Sequence, residues 1–189
     1  RLGRALDPRD DGILGRPVST RHLSISRKTG LLAVVSGTQS NVIIFGPTRT
    51  PRVLTASAFS QHVAISDDGS LTAASNPRDK MVRVWHTDDG SPDVELPVGN
   101  CTELAFASSA NLLIIGTKET ITAYNSDSWT VKWTKPCDSD MPRQSSWMIV
   151  TAEGDSLLTP FGTTDAALLR VSDGELLMRF NHPQGWAPT

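Results

Sequence analysis

Short apolar runs alternate with turn residues along most of the chain, and this alternation repeats. Each repeat has an apolar strand, a turn rich in Gly, Asp or Ser, a second apolar strand and a third strand. The second strands begin 40, 41 and 45 residues apart, at Leu31, Leu71, Leu112 and Leu157. The third strands follow nearly the same period and end at Phe45, Trp85, Tyr124 and Val171. The sequence therefore contains four copies of a unit of about 40 residues.

The local pattern within each copy predicts an antiparallel meander of four strands. Turns such as Lys28-Thr29-Gly30 and Asp67-Asp68-Gly69 separate the first two strands, and Gly supplies the positive φ that a tight hairpin needs. A fourth β-rich run follows the third strand in three copies, at 93–96, 130–134 and 175–180. No window of eleven or more residues keeps a helical period, so we expect almost no helix.

Four strands in every repeat of about 40 residues are typical of a β-propeller, in which neighbouring blades bury each other's apolar faces. We therefore predict an all-β propeller of four-stranded antiparallel blades, with about four blades and a partial one, as part of a larger ring; an unusually small ring of four or five blades is the alternative. The predicted blades are 21–57, 58–98, 99–136 and 137–182. Residues 1–20 are interpreted as the end of a preceding repeat, and 183–189 as a tail or the start of the next.

The second repeat carries the residues of a known motif. Its sequence DKMVRVWH, residues 79–86, resembles a WD repeat, in which an Asp precedes the terminal Trp by six positions. The fourth repeat keeps that Asp as Asp165 but ends on Val171. The resemblance covers about residues 20–182. It implies structural roles for Asp79 and Asp165 in the loop before the third strand. Trp85 ends an alternating strand, which favours a blade-core position over a ligand contact.

The repeats also depart from the WD pattern. Trp85 is followed by His86 rather than Asp, and Gln39 and Lys118 occupy the Asp position of the first and third copies. No copy has a Gly-His pair before its first strand, so the Asp–His–Ser–Trp tetrad of regular WD repeats cannot form in full. The third repeat, with its late Trp133, is similar to quinoprotein-like propeller repeats. Both families share the propeller architecture, so the fold prediction is unchanged.

The charge balance restricts the class of binding partner, and the cysteine content indicates the cellular compartment. The 189 residues include 18 basic and 20 acidic side chains, for a net charge of −2. This balance provides no broad basic face for nucleic acid, and no apolar run approaches the roughly 20 residues of a membrane helix. In a blade, Cys101 and Cys137 would lie about 14 Å apart, too far for a disulfide. We expect a cytoplasmic protein.

The ionisable residues show no catalytic pattern. The four histidines, which are His22, His62, His86 and His182, have no metal-ligand spacing. His22 and His62 lie one repeat apart at the start of first strands, and we interpret them as structural. Most aspartates lie in turns, where Asp is favoured because its side chain hydrogen-bonds the local backbone and tolerates unusual φ. The sequence therefore predicts no catalytic residue, no metal and no cofactor.

Three residues are candidate partner contacts. Trp129 and Trp133 bracket a fourth strand, and their even separation places both on one face. We expect them to pack against a neighbouring blade, with an exposed aromatic patch as the alternative. Arg143 lies in the longest connector, residues 135–146, which is the best candidate for a variable contact loop.

These features favour a non-enzymatic propeller that serves as a protein–protein interaction scaffold or sensor within a larger multidomain protein. The expected partner is a protein or peptide rather than nucleic acid or membrane, and the oligomeric state is not indicated. The alternative is a propeller enzyme such as a quinone-dependent dehydrogenase or a sugar lactonase. The quinone enzyme would require adjacent cysteines and a calcium site, for which the sequence has no pattern.

Overall fold

The computed structural model describes residues 20–36, 41–47, 50–54, 60–137, 147–161 and 165–180. Within these ranges the chain forms sixteen strands and one short 3₁₀ helix, Ser108–Ala110. The strands form four sheets of four strands each, and every sheet is antiparallel with its strands in sequence order. The all-β fold of four-stranded blades is therefore confirmed.

The four sheets follow one another along the chain, and the first begins at Thr20, one residue before the first predicted blade. The first sheet contains β1 (Thr20–Ile25), β2 (Leu32–Ser36), β3 (Val42–Phe45) and β4 (Arg52–Leu54). The second contains β5 (Val63–Ile65), β6 (Leu71–Asn76), β7 (Met81–His86) and β8 (Pro92–Pro97). The third contains β9 (Cys101–Ala107), β10 (Leu112–Thr117), β11 (Thr120–Asn125) and β12 (Val131–Pro136). The fourth contains β13 (Ile149–Val150), β14 (Ser156–Phe161), β15 (Asp165–Arg170) and β16 (Leu176–Phe180).

The hydrophobic core lies between neighbouring sheets. One cluster joins the first and second sheets, a second joins the second and third, and a third joins the third and fourth. Each sheet is thus stabilised by stacking on its neighbours, as expected for propeller blades. The sheets described here do not close a ring.

The residues assigned to the WD-like motif lie in the second sheet. The carboxylate of Asp79 accepts hydrogen bonds from Met81 N–H and Asn76 Nδ2, both at 3.1 Å, and forms a 2.7 Å ion pair with Arg83. These contacts brace the turn between β6 and β7. Trp85 is only 4% exposed and packs into the cluster between the first and second sheets.

Two further features bear on the sequence expectations. Cys101 is buried at the start of β9 and Cys137 follows β12, and in the described part of the chain no disulfide joins them. Burial raises the pKa of the Cys101 thiol to about 12, so it stays protonated and unreactive near neutral pH. Among the residues described, no helical segment has the length and hydropathy that a bilayer crossing requires.

Candidate functional site

The first strand of each sheet faces a common space. β1 contacts β5, β5 contacts β9, and β9 contacts β13. Together with the residues next to them, these four strands line a concave space of about 640 Å³, which we call the central cleft. The cleft is the place where all four sheets contribute side chains to one surface.

One position of the repeat recurs in the central cleft. His22, His62, Glu103 and Trp147 each begin the apolar motif of a first strand, at steps of 40, 41 and 44 residues. All four residues line the cleft. The same position of adjacent inner strands comes together because the sheets stack side by side. As a result, two imidazoles and a carboxylate from three different sheets become neighbours.

Glu103 is the centre of this group. Its side chain is 8% exposed, with Oε1 3.2 Å from His22 Nε2 and Oε2 3.7 Å from His62 Nδ1. The backbone N–H of Leu104 also donates to Oε1, at 3.2 Å. A buried carboxylate needs such partners because desolvation of an ion is costly. We call His22, His62 and Glu103 the His–Glu cluster.

A backbone contact orients His22. The N–H of Val63 donates to His22 Nδ1 at 3.3 Å. In its neutral form the ring therefore carries its proton on Nε2, the nitrogen that faces Glu103. His22 thus donates to the carboxylate and links the first sheet to both the second and the third.

His62 has a different environment. Its Nδ1 is buried, and among the described residues it has no hydrogen-bond partner. Burial lowers the pKa of His62 below its ordinary value; Glu103 opposes this shift, and the charge of His22 adds to it. His62 is therefore neutral at pH 7 and has a lone pair available for a proton or a cation. Its ring meets that of His22 edge-on, with ring centres 5.2 Å apart.

The His–Glu cluster has a defined chemical capacity. Its three ligand atoms all lie within 4.8 Å of one another. Two imidazole nitrogens and one carboxylate are a donor set that zinc uses in proteins. The same groups could also accept a proton, with Glu103 stabilising the charge on His62. Glu103 was not predicted as a site residue, although its position 41 residues after His62 is close to the 40-residue interval between His22 and His62.

Exposed apolar side chains share the central cleft with this cluster. Leu23 and Ile25 on β1 and Ile149 on β13 are each more than half exposed and line the cleft. Arg27 lies at the end of the cleft, where its guanidinium pairs with Asp67 at 2.7 and 2.9 Å and donates to the Thr151 carbonyl at 3.4 Å. These contacts link turns of the first, second and fourth sheets.

The two candidate tryptophans lie away from the central cleft. Trp129 Nε1 donates to Asp93 in β8 at 3.2 Å, and Trp133 Nε1 donates to the Val171 carbonyl at 2.8 Å. Trp129 packs against the second-to-third-sheet cluster, whereas Trp133 packs against the third-to-fourth-sheet cluster. They do not share a face as expected, because Trp129 lies in the turn before β12 with φ of 55°. Strand alternation therefore does not extend to it.

The other residues singled out from the sequence are also distant from the cleft or lie outside the description. Within the part of the chain that the structure describes, Asp79 and Trp85 do not line the central cleft. The backbone of Asp165 pairs with Phe161 at the start of β15, but its side chain lies outside the described residues. Arg143 lies outside them entirely.

Comparison with known proteins supports the fold but identifies neither a family nor an activity. No family model matches the chain, and no curated protein matches its sequence significantly. Hydrazine synthase from Kuenenia stuttgartiensis is similar in structure, with a TM-score of 0.70 and 13% sequence identity over 87% of this chain. The chain spans 50% of that protein's length. Because 1133 solved chains match, this likeness identifies a widespread propeller-like fold rather than an activity.

Proposed function

We propose that the chain is a degenerate WD-repeat-like propeller that binds a peptide segment of a partner protein in the central cleft, as a non-enzymatic scaffold or sensor module in the cytoplasm. The observation that carries this proposal is the grouping of Leu23, Ile25 and Ile149 on one concave surface, each more than half exposed. Single exposed apolar residues are common on protein surfaces. Three in one cleft are typical of a binding site.

The physical setting of these side chains supports peptide binding. Burying a Leu or Ile side chain contributes about 1.5–3 kcal/mol, so a few contacts in the cleft suffice for measurable affinity. The cores between the sheets fix the first strands in place, so little ordering of the propeller accompanies binding. The cleft volume of about 640 Å³ lies within the range of pockets that bind ligands and has room for several apolar side chains of an extended segment.

The test is a selection of peptides from a random library displayed on phage. We expect peptides with apolar side chains to be enriched, and we expect Leu23→Asp and Ile25→Asp each to weaken their binding by at least tenfold, because a carboxylate would have to be desolvated in the cleft. Isothermal titration calorimetry measures the dissociation constants.

The matched control is Val131→Asp. Val131 is 55% exposed on β12, and in the described structure it does not line the cleft, so this variant should retain full affinity. Selected peptides that bind Leu23→Asp and Ile25→Asp as well as the original protein would contradict the proposed site. A selection that enriches no peptide would contradict the proposed function.

A further inference from the structure

We propose that His22, His62 and Glu103 bind one divalent transition-metal ion, and that Zn²⁺ is the ion they fit. The site lies in the central cleft where three inner strands meet. It does not depend on the peptide binding proposed above, because the metal would be held by the inner strands themselves.

The positions of the donor atoms fit this ion. Zn²⁺ binds His nitrogen and carboxylate oxygen at about 2.0–2.2 Å, which places the ligand atoms of a tetrahedral site about 3.3 Å apart. Glu103 oxygens lie 3.2 Å from His22 Nε2 and 3.7 Å from His62 Nδ1. All three donor atoms lie within 4.8 Å of one another. Small side-chain rotations would therefore complete the coordination.

A second observation is an unsatisfied nitrogen in the cluster. His62 Nδ1 is buried and, within the described residues, has no hydrogen-bond partner. Glu103 is a buried carboxylate whose 3.7 Å approach to His62 is too long for a hydrogen bond. A bound cation would supply the missing partner of His62 Nδ1 and would hold the second oxygen of Glu103, whose Oε1 already accepts from the Leu104 N–H. A purely structural cluster would instead be expected to satisfy the buried nitrogen.

Coordination has one structural consequence that can be measured. His22 can bind a metal through Nε2 only if the proton on that nitrogen moves to Nδ1. Nδ1 now accepts a hydrogen bond from Val63 N–H at 3.3 Å. Once Nδ1 carries a proton, two N–H donors would face each other and this hydrogen bond would be lost. Metal binding should therefore release the Val63 amide.

The ligand set also indicates which ions would be excluded and where solvent would bind. Ca²⁺ and Mg²⁺ prefer oxygen ligands, whereas two imidazoles favour Zn²⁺ and its first-row neighbours. The equivalent position of the fourth sheet is Trp147, which supplies no ligand atom but lines the cleft. Three protein ligands beside an open cleft leave the fourth position for water.

The experiment uses the full chain without histidine tag, stripped with a chelator and titrated with ZnCl₂ by calorimetry. We expect one Zn²⁺ per chain, with no binding of Ca²⁺ or Mg²⁺ at the same concentrations. His62→Ala and Glu103→Gln should each reduce the affinity at least about 100-fold, since even residues that only orient metal ligands typically contribute 10–100-fold. His86→Ala is the control, because His86 is an exposed histidine at the end of β7 outside the cluster.

Two measurements on the unmodified protein keep the test decisive if a variant does not fold. Zn²⁺ should shift the amide resonance of Val63 and accelerate its hydrogen exchange. Co²⁺ in the same site should give the intense visible bands of a four-coordinate complex without a thiolate charge-transfer band. Absence of stoichiometric Zn²⁺ binding, an unchanged Val63 amide, or equal losses in His86→Ala and His62→Ala would overturn the proposal.

Discussion

Replacing Trp85 with Ala is expected to lower the free energy of unfolding by about 3–5 kcal/mol, as for other large aromatic residues removed from cores. Trp85 is 4% exposed and packs with residues of the first sheet, including Leu31 and Ile44. The substitution removes the indole from the interface between two sheets whose hydrogen-bonded strands limit how far the cavity can collapse. Urea unfolding followed by circular dichroism measures the loss.

Trp85→Phe is the matched control, because it keeps an aromatic ring at the same position. It should cost clearly less than Trp85→Ala, since most of the apolar contact is retained. If Trp85→Ala lost less than about 1 kcal/mol, the value typical of an average substitution, Trp85 would not lie in a core between sheets.

Gly174→Ala is the second substitution with a large expected effect, a loss of about 2–4 kcal/mol from positive-φ strain and overpacking together. Gly174 has a φ of 73°, and an added Cβ would lie 2.8 Å from Cε3 of Trp133. The indole cannot move away easily because its Nε1 is hydrogen-bonded to the Val171 carbonyl at 2.8 Å. Urea unfolding again provides the measurement.

The chain offers a close control for Gly174→Ala. Gly30 has a φ of 70°, but no described heavy atom lies within 4 Å of the position of its added Cβ. Gly30→Ala should therefore cost only the backbone strain, about 1–2 kcal/mol. In a Trp133→Ala background the difference between the two substitutions should disappear. Equal losses in the original background would show that Trp133 does not press on Gly174.

Much of the fold could be predicted from the sequence because one signal occurs in every repeat. Alternating apolar strands and Gly-containing turns such as Asp67-Asp68-Gly69 define four strands per unit. A single unit cannot bury its apolar faces alone, so repetition implies stacking of sheets. The structure shows that stacking directly, in three clusters that each join two neighbouring sheets.

The candidate site was less accessible to sequence reasoning for a physical reason. His22, His62 and Glu103 share one repeat position, but searches for metal or catalytic motifs use short local spacings. Their meeting depends on the close approach of β1, β5 and β9, which arises from tertiary packing. Trp129 shows a second limit of sequence reasoning. Its φ of 55° belongs to a turn, so its side chain lies on a different face from the one that strand alternation predicts.

The same repeat position of successive inner strands meets in one cluster, and a double-mutant cycle between His22 and Glu103 measures that contact. These residues are 81 positions apart in the chain. His22→Ala, Glu103→Ala and the double variant are unfolded with urea in excess chelator, so that no metal contributes. We expect a coupling of about 0.5–3 kcal/mol, as for residues in contact. Effects that add to within about 0.3 kcal/mol would contradict it.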